Sequence, residues 1–304
     1  MGEKGASRNA RPARFVAAAF LAACLYALST PCSKVLLANV APNMMAAMLY
    51  LGAGVGMAAL AGARAAVRSG TSDEKPLERS DAPYVVAMVL LDVAAPILLM
   101  AGLAHAAPEN VALLNNFEIV ATAVIALLVF RERVASRTWA GIVVITLSCA
   151  LLSLEGEGAL SFSSGSLLVL GACLCWGVEN NCTSRLSEKD PAQVVVVKGL
   201  GSGAGALAVA LLAGDALPAL PDAVAALVLG FVAYGLSIFF YVYAQRGLGA
   251  ARTSAYYAVN PFIGAALSLV LFQTVPGPAF LLALVLMALG AWLVTPLEDW
   301  TPEE

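Results

Sequence analysis

Ten apolar runs, each close to the length of one bilayer crossing, fill almost all of this 304-residue sequence. A helical crossing takes about 20 mostly apolar residues. The runs fall at roughly 15–38, 43–66, 83–105, 109–130, 138–154, 166–186, 192–213, 223–245, 251–272 and 278–295. Outside them lie a basic amino-terminal arm, a hydrophilic loop at 67–82 and an acidic tail. Charged residues make up 12%, against about 25% in soluble domains, and the mean hydropathy is +0.85. The expectation is an all-α integral membrane protein of ten transmembrane helices, with no room for a soluble domain. The opening "KGASRNARPAR" and "FVAAAFLAACLYALS" have the outline of a secretory signal. Nine further apolar runs make this stretch a first crossing instead.

The charges sort by side. If the chain starts inside, fifteen of its 17 Lys and Arg fall on inner segments, among them Arg8, Arg64, Arg131, Arg185 and Arg252. Asp215, Asp222, Glu155 and Glu157 fall outside. That is the asymmetry of the positive-inside rule, and it places both termini in the cytoplasm. The remaining two cations, Lys34 and Lys198, lie within apolar runs. The six cysteines (24, 32, 149, 173, 175, 182) also lie in apolar runs, without a CxxC pair, and His105 is the single histidine. Small apolar packing residues describe these cysteines better than a zinc site does; no metal or other cofactor is expected.

The sequence resembles itself at nearly one spacing, 149 residues for two stretches and 145 for a third. "AACLY" at 22–26 parallels "GACLC" at 171–175, and "APNMMAAMLYLGAGVG" at 41–56 parallels "DPAQVVVVKGLGSGAG" at 190–205. This puts Pro42 over Pro191, and Gly52, Gly54 and Gly56 over Gly201, Gly203 and Gly205. "LLNNFEI" at 113–119 parallels "AVNPFIG" at 258–264. The division expected is an arm (1–14), a first half (15–154), a second half (160–296) and a tail (297–304). Each half has five runs. Five is odd, so the second half enters the membrane from the opposite face, giving the inverted repeat of many secondary transporters, with a substrate site where the halves meet. The glycines have GxxxG spacing, which suits close helix packing in lipid.

Several motifs taken in order resemble the drug/metabolite transporter superfamily, and its EamA-type branch most of all. They are Trp176-Gly177, Pro191 followed by Lys198, Asn116-Phe117-Glu118-Ile119 and Phe130-Arg131-Glu132. The first half departs from that pattern: Ala27-Leu28 stands in place of WG, and Leu49-Tyr50 in place of the basic residue. Asn260-Pro261 and Gln273 are departures in the second half. The resemblance implies a ten-helix carrier that exports metabolites.

Ionisable groups at membrane depth mark a pathway or a proton relay by default. Glu179 and Lys198 each lie about seven residues from the inner ends of neighbouring runs, roughly 10 Å deep. They are expected to pair as a structural or gating contact, with Asn180 or Asn181 bonding the carboxylate. Glu118, with Asn115 and Thr122 at i−3 and i+4, has no cation at its depth. It is the leading candidate for proton coupling, and Asp92, one turn before Pro96, is the second. Lys34 is expected to snorkel to the outer surface, and His105 to sit at the outer interface.

The polar and aromatic residues Tyr234, Ser237, Tyr241 and Gln245 form one helical stripe. Tyr234, Tyr256, Asn260, Asn115, Trp176, Glu179 and Asn180 are the substrate-facing candidates, suited to a neutral or zwitterionic organic solute. Tyr241 and Tyr243 also fit an interfacial belt. "GLGSGAG" lacks the lysine of a Walker A loop, and Ser202 has no histidine near it to act as base. The expected partners are a small solute, the bilayer and protons, with no nucleic acid. An uncoupled facilitator of the same fold is the alternative, and an intramembrane enzyme a distant third.

Overall fold

The computed structural model describes residues 4–67, 75–130, 136–155, 161–184, 186, 189–248 and 256–294. Arg68, Arg131, Arg185, Arg252, Glu157 and the acidic tail lie outside them, as does most of the Phe130-Arg131-Glu132 motif. Among the described residues the regular structure is helical, apart from a two-residue antiparallel pairing of β1 (Leu154–Glu155) with β2 (Ser161–Phe162) and an isolated parallel bridge between Lys75 and Lys189. In chain order the first half holds α1 (Lys4–Ala27), α2 (Ser29–Leu36), α3 (Pro42–Val67), α4 (Ala82–His105), α5 (Pro108–Leu114), α6 (Phe117–Phe130) and α7 (Ser136–Ser153). The second holds α8 (Ser164–Ser184), α9 (Pro191–Leu212), α10 (Leu220–Leu229), α11 (Ser237–Leu248), α12 (Asn260–Phe272) and α13 (Pro278–Val294). Among the described residues, five helices are long and apolar enough to cross a membrane: Ala13–Leu36, Pro42–Arg64, Arg79–His105, Pro191–Leu212 and Leu220–Ala244. Three shorter apolar helices accompany them.

Three runs read as single helices are divided, and the sequence explains each division. Proline lacks an N–H, and its ring crowds the carbonyl four residues earlier. Pro31 therefore acts on Ala27, where α1 gives way to α2 at Leu28. Pro261 acts in the same way on Tyr257, just before the turn at 258–259 that precedes α12. Between α5 and α6 the breakers are Asn115 and Asn116. The Asn116 side chain donates to the Leu113 carbonyl at 3.2 Å, a local bond that competes with helix continuation. Gly230–Leu236 forms a π-helical stretch joining α10 to α11, a widened turn of the kind often found at functional sites. Helix α9 starts where Asp190 accepts from the Ala192 N–H at 2.9 Å, with Pro191 in the first position, a favourable N-terminus on both counts.

The packing is symmetric between halves. Helix α3 packs on α9, and α7 on α13. The pair α4–α8 is matched by α11–α1, α4–α9 by α3 with the π-helical stretch, and α6–α8 by α12–α1. Equivalent helices run in opposite directions where they meet. On α3 and α9, a Cβ at Gly203 would lie 2.6 Å from the Leu51 nitrogen, and one at Gly199 would lie 2.4 Å from the Gly54 nitrogen. On α7 and α13, Ser148 donates to the Ala283 carbonyl at 2.7 Å, and Arg137 to the Trp292 carbonyl at 2.6 Å. Glycine is required here by proximity alone. At Gly52 a Cβ would sit 2.0 Å from the Leu227 carbonyl oxygen, and at Gly230 2.0 Å from that of Leu49.

Candidate functional site

Three helices bring charge to the centre of the bundle. The Lys198 ammonium on α9 lies 3.0 Å from Asp92 Oδ2 on α4 and 3.1 Å from Glu179 Oε1 on α8. Asp92 is 0% exposed and Glu179 1%. A buried carboxylate is tolerated when it is both paired and hydrogen-bonded, and each of these is. Asp92 Oδ1 accepts from the Tyr50 hydroxyl at 3.1 Å and from the Trp176 indole N–H at 3.2 Å. Glu179 Oε1 accepts from the Thr183 hydroxyl one turn along α8. Pro96 cannot donate to the Asp92 carbonyl, so the middle of α4 is polar in its backbone as well.

The asparagines of α8 do not serve Glu179, contrary to the reading of the sequence. Asn180 instead donates to Glu118 Oε1 at 2.6 Å and to the Thr122 hydroxyl at 3.3 Å. Asn181 donates to the backbone carbonyls of Gly177 and Thr122 at 2.8 and 3.2 Å. The register along α8 is the cause: Glu179 faces α9, while Asn180, one residue (about 100°) further round, faces α6. Glu118 retains some accessible surface, unlike Asp92 and Glu179. Of the three carboxyls it is the one bonded to a neutral amide and not to Lys198.

Beside the charges lies a nest of tyrosines from both halves. The rings of Tyr26 and Tyr50 lie 5.4 and 5.3 Å from that of Tyr234, and Tyr257 lies 4.9 Å from Tyr241 and 6.0 Å from Tyr26. The Ser29 hydroxyl donates to the Tyr234 hydroxyl at 3.1 Å, and Ser237 donates to the Ala22 carbonyl at 2.8 Å. Tyr50 touches both groups, with its hydroxyl on Asp92 and its ring on Tyr234.

The placements of the remaining candidates differ from the sequence reading in several respects. Tyr234, Ser237 and Tyr241 share the interior stripe; the Gln245 side chain lies outside the described residues. Tyr256 does not join the nest. Its ring packs 5.2 Å from the exposed Phe20 in a separate small cluster, and its neighbour Tyr257 takes the interior position, because the turn before Pro261 reorients the chain there. Asn260 opens α12, partly buried. Asn115 stands at the α5–α6 break, and its Oδ1, like that of Asn116, is buried with no hydrogen-bond partner. Lys34 reaches the end of α4, where its ammonium binds the carbonyls of Leu103, Ala104 and Ala106 at 2.5, 3.2 and 3.0 Å and complements the C-terminal dipole of that helix. His105 is exposed at that same end. No group of three or more metal-ligating side chains occurs among the described residues.

Comparison with known proteins agrees with this architecture. A model described as the EamA-like transporter family matches the chain twice, over residues 14–154 and 163–295. An uncharacterized transporter of Methanothermobacter thermautotrophicus is 25% identical over 267 residues, covering 82% of this chain and 76% of that protein. A crystal structure described only as that of a protein superposes with a TM-score of 0.66 at 18% identity, covering 92% of this chain and 96% of that one. At that identity the likeness is one of fold.

Proposed function

Since the chain belongs to the EamA-like transporter family, we propose that it is a secondary-active carrier exporting amino acids or related small organic metabolites across the plasma membrane. It works by alternating access between two inverted five-helix halves, with both termini cytoplasmic. The observation that carries this reading is the polar centre where the halves meet: Tyr50, Asp92 and Glu118 from the first half, Trp176, Glu179, Asn180 and Lys198 from the second. The antiparallel crossings of α3 with α9 and of α7 with α13 support the inversion, because equivalent helices of two halves inserted the same way would run parallel.

In this reading the solute lies against the tyrosine nest, contacting Tyr234, Trp176 and the break at Asn115. Discontinuous helices of this kind surround midplane sites in carriers because they free backbone and side-chain polar groups for a ligand. Glu118 exchanges the coupling proton, since it is accessible and bound to a neutral amide rather than to a cation. Asp92 is the second proton-responsive group, reached only when Lys198 moves.

Reconstitution tests this directly. Purified protein in proteoliposomes, offered a panel of labelled amino acids and related metabolites, is expected to move at least one of them faster with an imposed proton gradient than without. Flux of equal rate in both conditions supports an uncoupled facilitator instead.

A further inference from the structure

The polar contacts between halves are heavily weighted to one face of the bundle. On the face where α3 turns into α4 and α8 into α9, Lys189 lies 3.1 Å from Asp81 and 3.3 Å from Glu78. The backbone joins in: the Asp190 N–H donates to the Lys75 carbonyl at 2.8 Å, and the Leu77 N–H to the Gln193 side chain at 2.8 Å. Beneath this tier sits an apolar plug of Met88, Leu186 and Val194, packed with Leu77, Val85 and Val89. Beneath the plug comes the second ionic tier, Lys198 between Asp92 and Glu179. From Pro191, where α9 starts, to Lys198 the helix rises about 10 Å. The stack is thus ionic, apolar, ionic.

The opposite face has no such stack among the described residues. At the repeat spacing, Lys198 corresponds to Leu49 and Glu179 to Thr30. Contacts toward that face include the Ser29–Tyr234 hydrogen bond of the tyrosine nest and, further out, an exposed Asn39–Asp222 contact at 3.5 Å. Two halves with a shared fold are therefore closed against each other by unlike means. Parting the first face means separating the buried Lys198 cluster in low dielectric and, at the surface, the pairs of Lys189 with Asp81 and the exposed Glu78, whereas the second face has no buried ion pair to separate among the described residues.

We propose that the stack is the gate of that face, that Lys189 is its latch, and that the resting protein is held shut there while the opposite face opens first. Lys189 is a positioning residue: it touches no solute, and acts by holding the loop before α4 against the start of α9. Lys189 is charged at physiological pH as lysines ordinarily are, and the Asp81 hydrogen bond shifts its ammonium further upward. This inference rests on the carrier reading above, but its readout does not depend on finding the solute.

The test is thiol labelling of full-length protein carrying Val194→Cys, a plug position 8% exposed, with the parent protein as baseline for the native cysteines. A membrane-impermeant maleimide is applied from each side of vesicles. With Lys189 intact, labelling from the latch face is slow. Adding Lys189→Gln is expected to speed it roughly tenfold, and Glu78→Gln with Asp81→Asn to do the same, whereas Lys189→Arg leaves it within about twofold of the start. An unchanged rate in Lys189→Gln overturns the proposal, as does an equal rise in Lys189→Arg, which would mark general loosening of the fold. Solute flux by these variants with labelling unchanged sinks the latch but leaves the carrier standing. Accelerated labelling in a protein that moves no solute sinks the carrier reading and leaves the latch.

Discussion

Replacing Lys198 by methionine is expected to destabilise the protein by about 3–5 kcal/mol, the cost of breaking a buried ion pair from one side. Asp92 at 0% exposure and Glu179 at 1% would be left to share an apolar interior without their cation. The Tyr50, Trp176 and Thr183 donors would remain, but neutral donors do not cancel two charges. Thermal unfolding in detergent measures the loss. Adding Asp92→Asn and Glu179→Gln to the same chain should recover most of it, because replacing every member of a buried charge cluster by neutral groups is far milder than removing one. A single substitution without effect on unfolding would mean that the three groups do not meet in the folded protein.

Glu118→Gln should separate coupling from folding. Glutamine keeps the acceptor oxygen for the Asn180 amide, now at 2.6 Å, and nearly the same volume, so unfolding should shift by no more than about 1 kcal/mol. It cannot release a proton. Gradient-driven solute movement in proteoliposomes is expected to fall at least tenfold, to the rate seen without a gradient, while exchange of solute for solute persists. Gradient-driven movement at the original rate would remove Glu118 from the coupling path and leave Asp92 as the remaining carboxyl to test.

Much of this architecture could be read from composition and spacing, because lipid restricts a chain so severely. A run of apolar residues long enough to cross has few alternatives to a helix, and Pro42 and Pro191 mark the starts of α3 and α9 as their shared spacing implies. The approach of Glu179 to Lys198 was legible too: two charges at one depth on successive helices have little else to pair with. Asp92 was singled out as an intramembrane carboxyl, yet not as a partner of Lys198. Its position depends on the crossing of α4 with α8, which sets residue 92 against residue 176, and no local pattern encodes that register. The exchange of Tyr256 for Tyr257 accompanies the turn at 258–259, which separates both from the helix that Asn260 begins and so breaks the continuous face on which Tyr256 and Asn260 were expected. The partners of Lys34 were not legible for a related reason. The carbonyls that hold it belong to α4, some 70 residues away in sequence, and helix ends that offer such carbonyls cannot be assigned to a partner until the bundle is assembled.

What ties these residues to transport is the claim that two oppositely inserted halves open in turn on either side of one polar centre. Distances between paired spin labels on the full-length protein in lipid test that claim most directly. One pair, at Ser80 and Ala192, reads the latch face; the other, at Asn39 and Leu220, reads the opposite face. The account predicts that conditions shifting the conformational balance lengthen one distance while shortening the other, with the latch-face pair short at rest. Two fixed distances, or two that lengthen together, would contradict it.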